Sequence, residues 1–423
     1  MSAPLLALML FTATTAEPIS SAPVQDQQRL IAAMIADAQS RTSLLSTTGA
    51  GYDGKTFMLA STDGNFRLNV GGQLQFRYTA SFRNADDTVN SDEFQGGFSQ
   101  PRTRLWFDGH ILNPRLFYKV MFDVRPTGGE AFLQDALVGY RFDGGWTLRG
   151  GQGILAFTRE WSMGDQRMAT PERSVQAFMF GQLRSKFVDL KYQRDDAPVR
   201  VIATVSDGFR SAGTDYPDSP ADVALTARAD WLFAGTWAQV ETEFRGPPGS
   251  ELAGALGAAA HYELGPDTGI SGNAQQQLFA WTTDIIAKGD GWSVMGAAVG
   301  YSITDESGVS GADFHDIGLM AQFGVHVCDT VELVGRYDII IPDNDRALDD
   351  TFTTLTAGAN WYIHGHAAKL QLAALWFLDD TEGTTAGNFA GAGARHPVNT
   401  AFGPLPSAED DQVAVMVQFQ LLF

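Results

Sequence analysis

From residue 55 onward the chain is written with a period of two, and in runs longer than most soluble strands. In Phe66–Arg83, Phe66, Leu68, Val70, Leu74, Phe76, Tyr78 and Phe82 alternate with Arg67, Asn69, Gln73, Gln75, Arg77, Thr79, Ser81 and Arg83. Phe314–Val327 repeats the pattern, with Ile317, Leu319, Ala321, Phe323, Val325 and Val327 set against Asp316, Gln322 and His326. Val413–Phe423 does so again and ends the chain on an aromatic. Each run is a strand with one apolar and one polar face.

Alternation alone does not say which face is inside. In a soluble sandwich the apolar face is buried, whereas in a membrane barrel it meets lipid and the polar face meets water. Three features favour the barrel. The long strands recur along the whole chain. Short turns at Asn113-Pro114, Asp143-Gly144-Gly145, Asp195-Asp196, Gly289-Asp290-Gly291 and His364-Gly365 alternate with long polar loops. The terminal Phe423 closes an amphipathic strand, an ending that the barrel-insertion machinery reads. A literal count gives seventeen strands, but single-chain bacterial barrels have even numbers. The weakest segment is Thr236–Arg245, where Glu241, Glu243 and Arg245 precede Gly246-Pro247-Pro248. Read as a long periplasmic turn, it leaves an all-β transmembrane antiparallel barrel of sixteen strands, wide enough to hold water.

The barrel is expected over residues 55–423. Residues 1–16 (MSAPLLALMLFTATTA) carry an apolar run and small residues suited to cleavage, so a signal peptide and export to the bacterial outer membrane are expected. Residues 17–54 are expected to form a short periplasmic helical segment and linker. In 24–45, Leu30, Ile31, Met34, Ile35 and Ala38 have helical spacing. That helix either self-associates, supporting a trimer, or is a spacer.

Net charge is −20, which argues against nucleic acid as a partner, since phosphate binding needs a basic face. The acids gather in expected loops such as Asp86–Asp92, Asp343–Asp350 and Asp379–Glu382. Strand parity turns a different set inward. With the apolar face on lipid, the early strands point Arg67, Arg77, Arg83, Arg102, Arg104, Arg115, Lys119, Arg125, Arg141 and Arg149 into the lumen, against Asp108, Asp123 and Asp135. A basic wall in a narrow, low-dielectric lumen attracts anions.

Asp63–Phe82 followed by Gln100–Asp123 resembles the phosphate-selective porin O and P family, and Phe132–Arg159 resembles that family's next two strands. The resemblance implies a sixteen-stranded trimeric porin whose third extracellular loop enters the lumen. It makes Arg77, Arg102, Arg104, Arg115 and Lys119 candidate pore-liners, to which parity adds Arg125, Arg141 and Arg149. Thr158–Leu183 stands where that constriction loop belongs. Its Arg159, Glu160, Asp165, Arg167, Glu172 and Arg173 place opposite charges along it and are expected to set a transverse field, unless the loop packs outside the lumen.

Enzymatic chemistry is not expected. There is no Gly-x-Ser-x-Gly elbow, His364-Gly365-His366 reads as a polar turn, and the single Cys328 as incidental. The expected function is passive diffusion of small hydrophilic solutes, leaning to anions such as phosphate, without cofactor or metal. A non-selective or cation-leaning porin, or a plugged structural or adhesive barrel, are the alternatives. Outer-membrane lipid, lipopolysaccharide, further copies of the chain and small anionic solutes are the expected partners.

Overall fold

The computed structural model describes residues 49–52, 56–84, 93–124, 128–215, 221–265, 276–305, 313–344, 351–381, 402–404 and 409–423. The expected signal peptide, the helix at 24–45 and Arg125 lie outside the described residues.

Two short strands come first, β1 (Ala50–Tyr52) and β2 (Phe57–Ala60). Sixteen longer ones follow. They are β3 (Arg67–Phe82), β4 (Phe94–His110), β5 (Leu116–Val124), β6 (Ala131–Arg141), β7 (Trp146–Ile154), β8 (Arg184–Tyr192), β9 (Val199–Ser206) and β10 (Val223–Ala234) in the first half. The second half holds β11 (Ala253–Gly265), β12 (Gln276–Gly289), β13 (Trp292–Asp305), β14 (Phe314–Cys328), β15 (Val331–Ile341), β16 (Phe352–His364), β17 (Ala368–Phe377) and β18 (Gln412–Leu422). From β3 to β18 each pairs antiparallel with the next, and β18 returns to β3 in register from Val413↔Phe82 to Leu422↔Gln73. The sheet is a closed sixteen-stranded barrel with no free edge.

Thr236–Arg245 is indeed not a strand. It contains a helix, α3 (Trp237–Thr242), capped by a reciprocal Thr236–Gln239 capping box. Two further short helices, α1 (Arg159–Ser162) and α2 (Val175–Met179), lie in the loop between β7 and β8.

Side-chain exposure settles which face is which. Phe98, Val138, Val188, Val205, Leu225, Phe323, Leu372 and Phe419 are exposed on the outer face, while Gln75, Arg77, Asp123, Thr226, Gln371 and Gln418 between them are buried inside. A continuous apolar exterior of this extent is what a hydrocarbon environment requires. Aromatic pairs near the short-turn rim, Trp146–Tyr192 at 5.0 Å and Trp231–Phe233 at 6.0 Å between ring centroids, form part of a girdle.

The seam explains the terminal aromatic. Phe423 exchanges both backbone hydrogen bonds with Gly72, at 2.7 and 3.1 Å. A Cβ on Gly72 would lie 2.3 Å from the Phe423 ring, so any larger residue there must displace that ring. Below the end of β18, β2 continues the seam by pairing with β3 from Phe57↔Val70 to Ala60↔Arg67. A further irregularity falls between Gln75↔Arg102 and Arg77↔Ser99, where Pro101 sits in the unpaired interval. Proline has no N–H to donate, and a bulge is where a sheet tolerates it.

Inward faces are not uniformly polar, which departs from the simple alternation rule. Leu278, Val299, Tyr301, Ile303, Ile340, Leu375 and Met416 point inward and are buried together with Leu155, Phe157, Val175, Met179 and Phe180 of the β7–β8 loop. A second cluster joins Met163 and Met168 of that loop to Trp237, Val240 and Phe244 beside and on α3. The loop thus packs on apolar inward residues as well as on polar ones.

Candidate functional site

The β7–β8 loop folds into the barrel, and almost every residue from Leu155 to Gln182 is buried. A segment with so little secondary structure leaves many carbonyls without partners inside the segment itself, and burial makes that costly. The wall supplies donors one by one. Arg228 reaches Phe157 O at 2.6 Å, Gln420 reaches Gln166 O at 3.0 Å, Lys369 reaches Met168 O at 2.9 Å and Asn360 reaches Ala169 O at 2.7 Å. Arg336 reaches Glu172 O and Arg173 O, and the Tyr301 hydroxyl donates to Phe180 O at 2.6 Å. Polar inward residues of the far wall are therefore the loop's mould.

The loop's acids answer the arginines of β3 and β4. Glu172 places one carboxylate oxygen 2.6 Å from Arg77 and the other 2.6 Å from Arg102. Asp165 Oδ2 is 3.0 Å from Arg102 and 2.5 Å from Arg104, and Arg104 also binds Asp123 at 2.7 Å. Burial alone would raise the Asp165 and Glu172 carboxyls. Arg104, Arg102 and Arg173 instead hold Asp165 well below the usual range, and Arg102 with Arg77 hold Glu172 down.

Three of the remaining loop charges are also committed. Arg159 pairs with Asp284 at 2.5 Å and Asp230 at 2.8 Å. Glu160 accepts from the Ser174 backbone N–H at 2.8 Å and its hydroxyl at 2.5 Å, fixing the start of α2. Arg173 lies over the Trp161 ring, 4.2 Å from its centroid. Only Arg167 of the five residues Arg159, Glu160, Arg167, Glu172 and Arg173 stays partly exposed.

The other sequence candidates are distributed along β5 to β7. Arg115 grips Asp143 at the short-turn rim, at 2.6 and 3.0 Å. Arg141 is exposed at the same rim, its guanidinium 4.2 Å above the Phe117 ring. Lys119 pairs with Asp135 at 2.7 Å, and Arg149 with Asp189. The count of ten inward bases against three acids is thus reduced in three dimensions, because Asp165 and Glu172 arrive from the loop and Asp189 from the next strand.

Between the loop and strands β5–β10 a cavity of about 330 Å³ remains. It is lined by Lys119, Arg149, Arg159, Lys191, Arg200 and Arg228, against Asp135 and Glu241. A second cavity of about 690 Å³ opens at the short-turn rim, lined by Arg141, Thr147, Lys191, Arg194 and Asp196 among others. The two abut at Lys191, which lines both.

Parity alone does not single out Glu241, which lines the cavity, or Arg184, which binds the cavity-lining Asp135 at 2.7 Å. Arg184 begins its strand directly after the loop, and Glu241 sits in a segment whose periodicity was simply weak. Neither carries a local signal for where it points.

A closed sixteen-stranded barrel with a lipid-facing exterior and a charged, loop-constricted lumen defines an outer-membrane channel protein. The sequence model of the family Phosphate-selective porin O and P matches residues 73–283, and the chain belongs to that family. Solved structures with the same fold include an anion-selective porin from Comamonas acidovorans (14% identity, 84% of this chain and 99% of that one, TM-score 0.58). They also include the outer-membrane channel DcaP of Acinetobacter baumannii (14%, 86% and 99%, TM-score 0.54). OmpT of Vibrio cholerae lacking loop L8 is a third (11%, 85% and 100%, TM-score 0.55). No curated protein matches the chain. Family and fold together support an outer-membrane location and a channel rather than an enzyme.

Proposed function

We propose that the chain is a porin giving passive diffusion to small hydrophilic solutes, with a preference for anions such as phosphate. The observation that carries this reading is which member meets water in the two ion pairs Lys119–Asp135 and Arg149–Asp189. The Lys119 side chain is 41% exposed and its partner Asp135 6%; Arg149 is 26% exposed and its partner Asp189 1%. The acids lie beneath and the bases on top, so a solute passing this wall meets positive charge although the pairs are neutral in sum. Guanidinium and ammonium groups in a partly desolvated cavity attract anions, and several shallow contacts allow release.

The site candidates divide accordingly. Lys119, Arg141 and Arg149 are the proposed pore-liners, while Arg77, Arg102 and Arg104 act chiefly through the loop they hold. Arg115 is a rim residue. A homotrimer surrounded by lipid and lipopolysaccharide, assembled by recognition of Phe423, completes the proposal. OmpT of Vibrio cholerae has been solved in a trimer form.

One observation favours a second reading, a plugged barrel with a structural role: the near-complete burial of the β7–β8 loop. Single-channel recording in planar bilayers separates the two. Stable conductance with an anion-signed reversal potential in a potassium chloride gradient is expected. No conductance supports the plugged barrel, and a cation-signed potential overturns the anion preference.

A further inference from the structure

The turn joining β10 to β11 is long where its counterparts at the same rim are short, and it folds inward rather than hanging free. Trp237, Val240 and Phe244 anchor it, and the Trp237 indole N–H lies 3.1 Å from both Arg194 O and Ala197 O. Arg200 lies over that indole, 4.9 Å from the ring centroid. One residue after Val240, Glu241 reaches the wall of the 330 Å³ cavity at the point where Lys191 separates it from the rim cavity.

We infer that Glu241 is a tethered counter-anion, displaced by each permeating anion, and so a determinant of charge selectivity at the joint between the two cavities. This rests on the reading of the chain as a conducting channel.

Glu241 differs from the other acids in and around the 330 Å³ cavity, and the wetter acids Asp195 and Asp196 belong to the rim cavity. Asp230, Asp284 and Asp189 are at most 1% exposed and lie under their arginines. Asp135, the other acid lining the cavity, is shared between Lys119 and Arg184. The Glu241 side chain is 34% exposed and sits on a six-residue helix rather than a strand. Its carboxylate contacts Arg200 and stands 3.8 Å from the Lys191 ammonium, which is itself 27% exposed.

Both partners can let it go. Arg200 keeps Asp230 through its Nε and Nη2, at 3.0 and 2.8 Å, when Glu241 leaves. The Lys191 contact, at 3.8 Å, is beyond hydrogen-bond length, so little is lost on breaking it. An anion arriving from the cavity takes the place of the carboxylate at Lys191 and Arg200 while Glu241 turns into water. The charge at the joint is then the same before and after. The fixed carboxylate lowers the anion's dwell time there, and it also offers passing cations a wet acid.

The test uses the full-length protein in planar bilayers under a potassium chloride gradient. Glu241→Gln keeps size and shape and removes the charge. The expected result is a rise of about threefold or more in the chloride-to-potassium permeability ratio, as expected when one fixed charge is removed from a narrow lumen. Lys191→Gln should lower the ratio, and Glu241→Gln in the Lys191→Gln background should have a smaller effect than alone. Folding of each variant is read from heat-modifiable electrophoretic migration, with Glu241→Asp, which shortens the reach, as the second variant expected to give an intermediate ratio. An unchanged or lowered ratio in a conducting Glu241→Gln channel overturns the inference. Absence of conductance in the unmutated protein overturns the channel reading instead.

Discussion

The carboxylate of Glu172 bridges two strands of the wall, with Arg77 at 2.6 Å on one oxygen and Arg102 at 2.6 Å on the other. All three groups are buried, so the contact ties the β7–β8 loop to β3 and β4 as a latch. Removing one partner of such a group leaves uncompensated charge and costs about 3–5 kcal/mol. Glu172→Gln is therefore expected to loosen the loop and unmask two arginines. Single-channel traces should show larger current fluctuations and a higher anion preference. Traces indistinguishable from those of the parent would remove the latch.

The exposed bases make a different prediction. Lys119→Gln with Arg149→Gln takes charge from the wet side of pairs whose acids stay behind. The anion-to-cation permeability ratio should fall by roughly twofold or more, with conductance largely kept. Arg115→Gln, at the exposed rim, should change the ratio far less. Equal effects from both sets would contradict the assignment of the pore wall.

The pH dependence follows from the depressed carboxyls of Asp165 and Glu172. Their ordinary values are 3.8 and 4.5, and in the folded channel both are lower. The stabilisation they give is present above the ordinary values and is lost as pH falls through the lower folded ones. Conductance followed from pH 7 downward should stay quiet through the ordinary carboxylate range and become noisy only below it. A transition centred on that ordinary range would show that these groups are not held by the arginines.

The lipid-facing surface is tested on β14, where Leu319 is exposed near the middle of the strand. Leu319→Arg should cost about 2–4 kcal/mol of folding stability in lipid, read by denaturant titration in vesicles. Gln322→Arg, on the inward face, should cost clearly less than that.

At the seam, Gly72→Val places a side chain where the Phe423 ring lies. A lower yield of the heat-modifiable folded form is expected, because the β3–β18 pairing closes the barrel. Full recovery in a Gly72→Val, Phe423→Ala double variant would identify the clash as the cause.

The barrel was legible in the chain because its cause is local. Period-two alternation over Phe66–Arg83 or Val413–Phe423 fixes a two-faced strand, and the even count follows once Thr236–Arg245 is recognised as a turn. The inward direction of Arg77, Arg102, Arg104, Lys119 and Arg149 follows from the same parity. What parity cannot tell is whom those side chains meet. Arg77 and Glu172 are 95 residues apart, and whether an inward arginine is wet or latched depends on where the loop lies.

The same reason explains the apolar inward residues of the lumen. Inward Val299 and Leu375 are buried because loop residues reach them across the barrel. Strand propensity and facing come from neighbours one or two positions away, and a linear pattern holds them. Pairing of charges across a lumen, the filling of one side and the water left on the other come from closure of the sheet. They exist only once the chain has returned on itself.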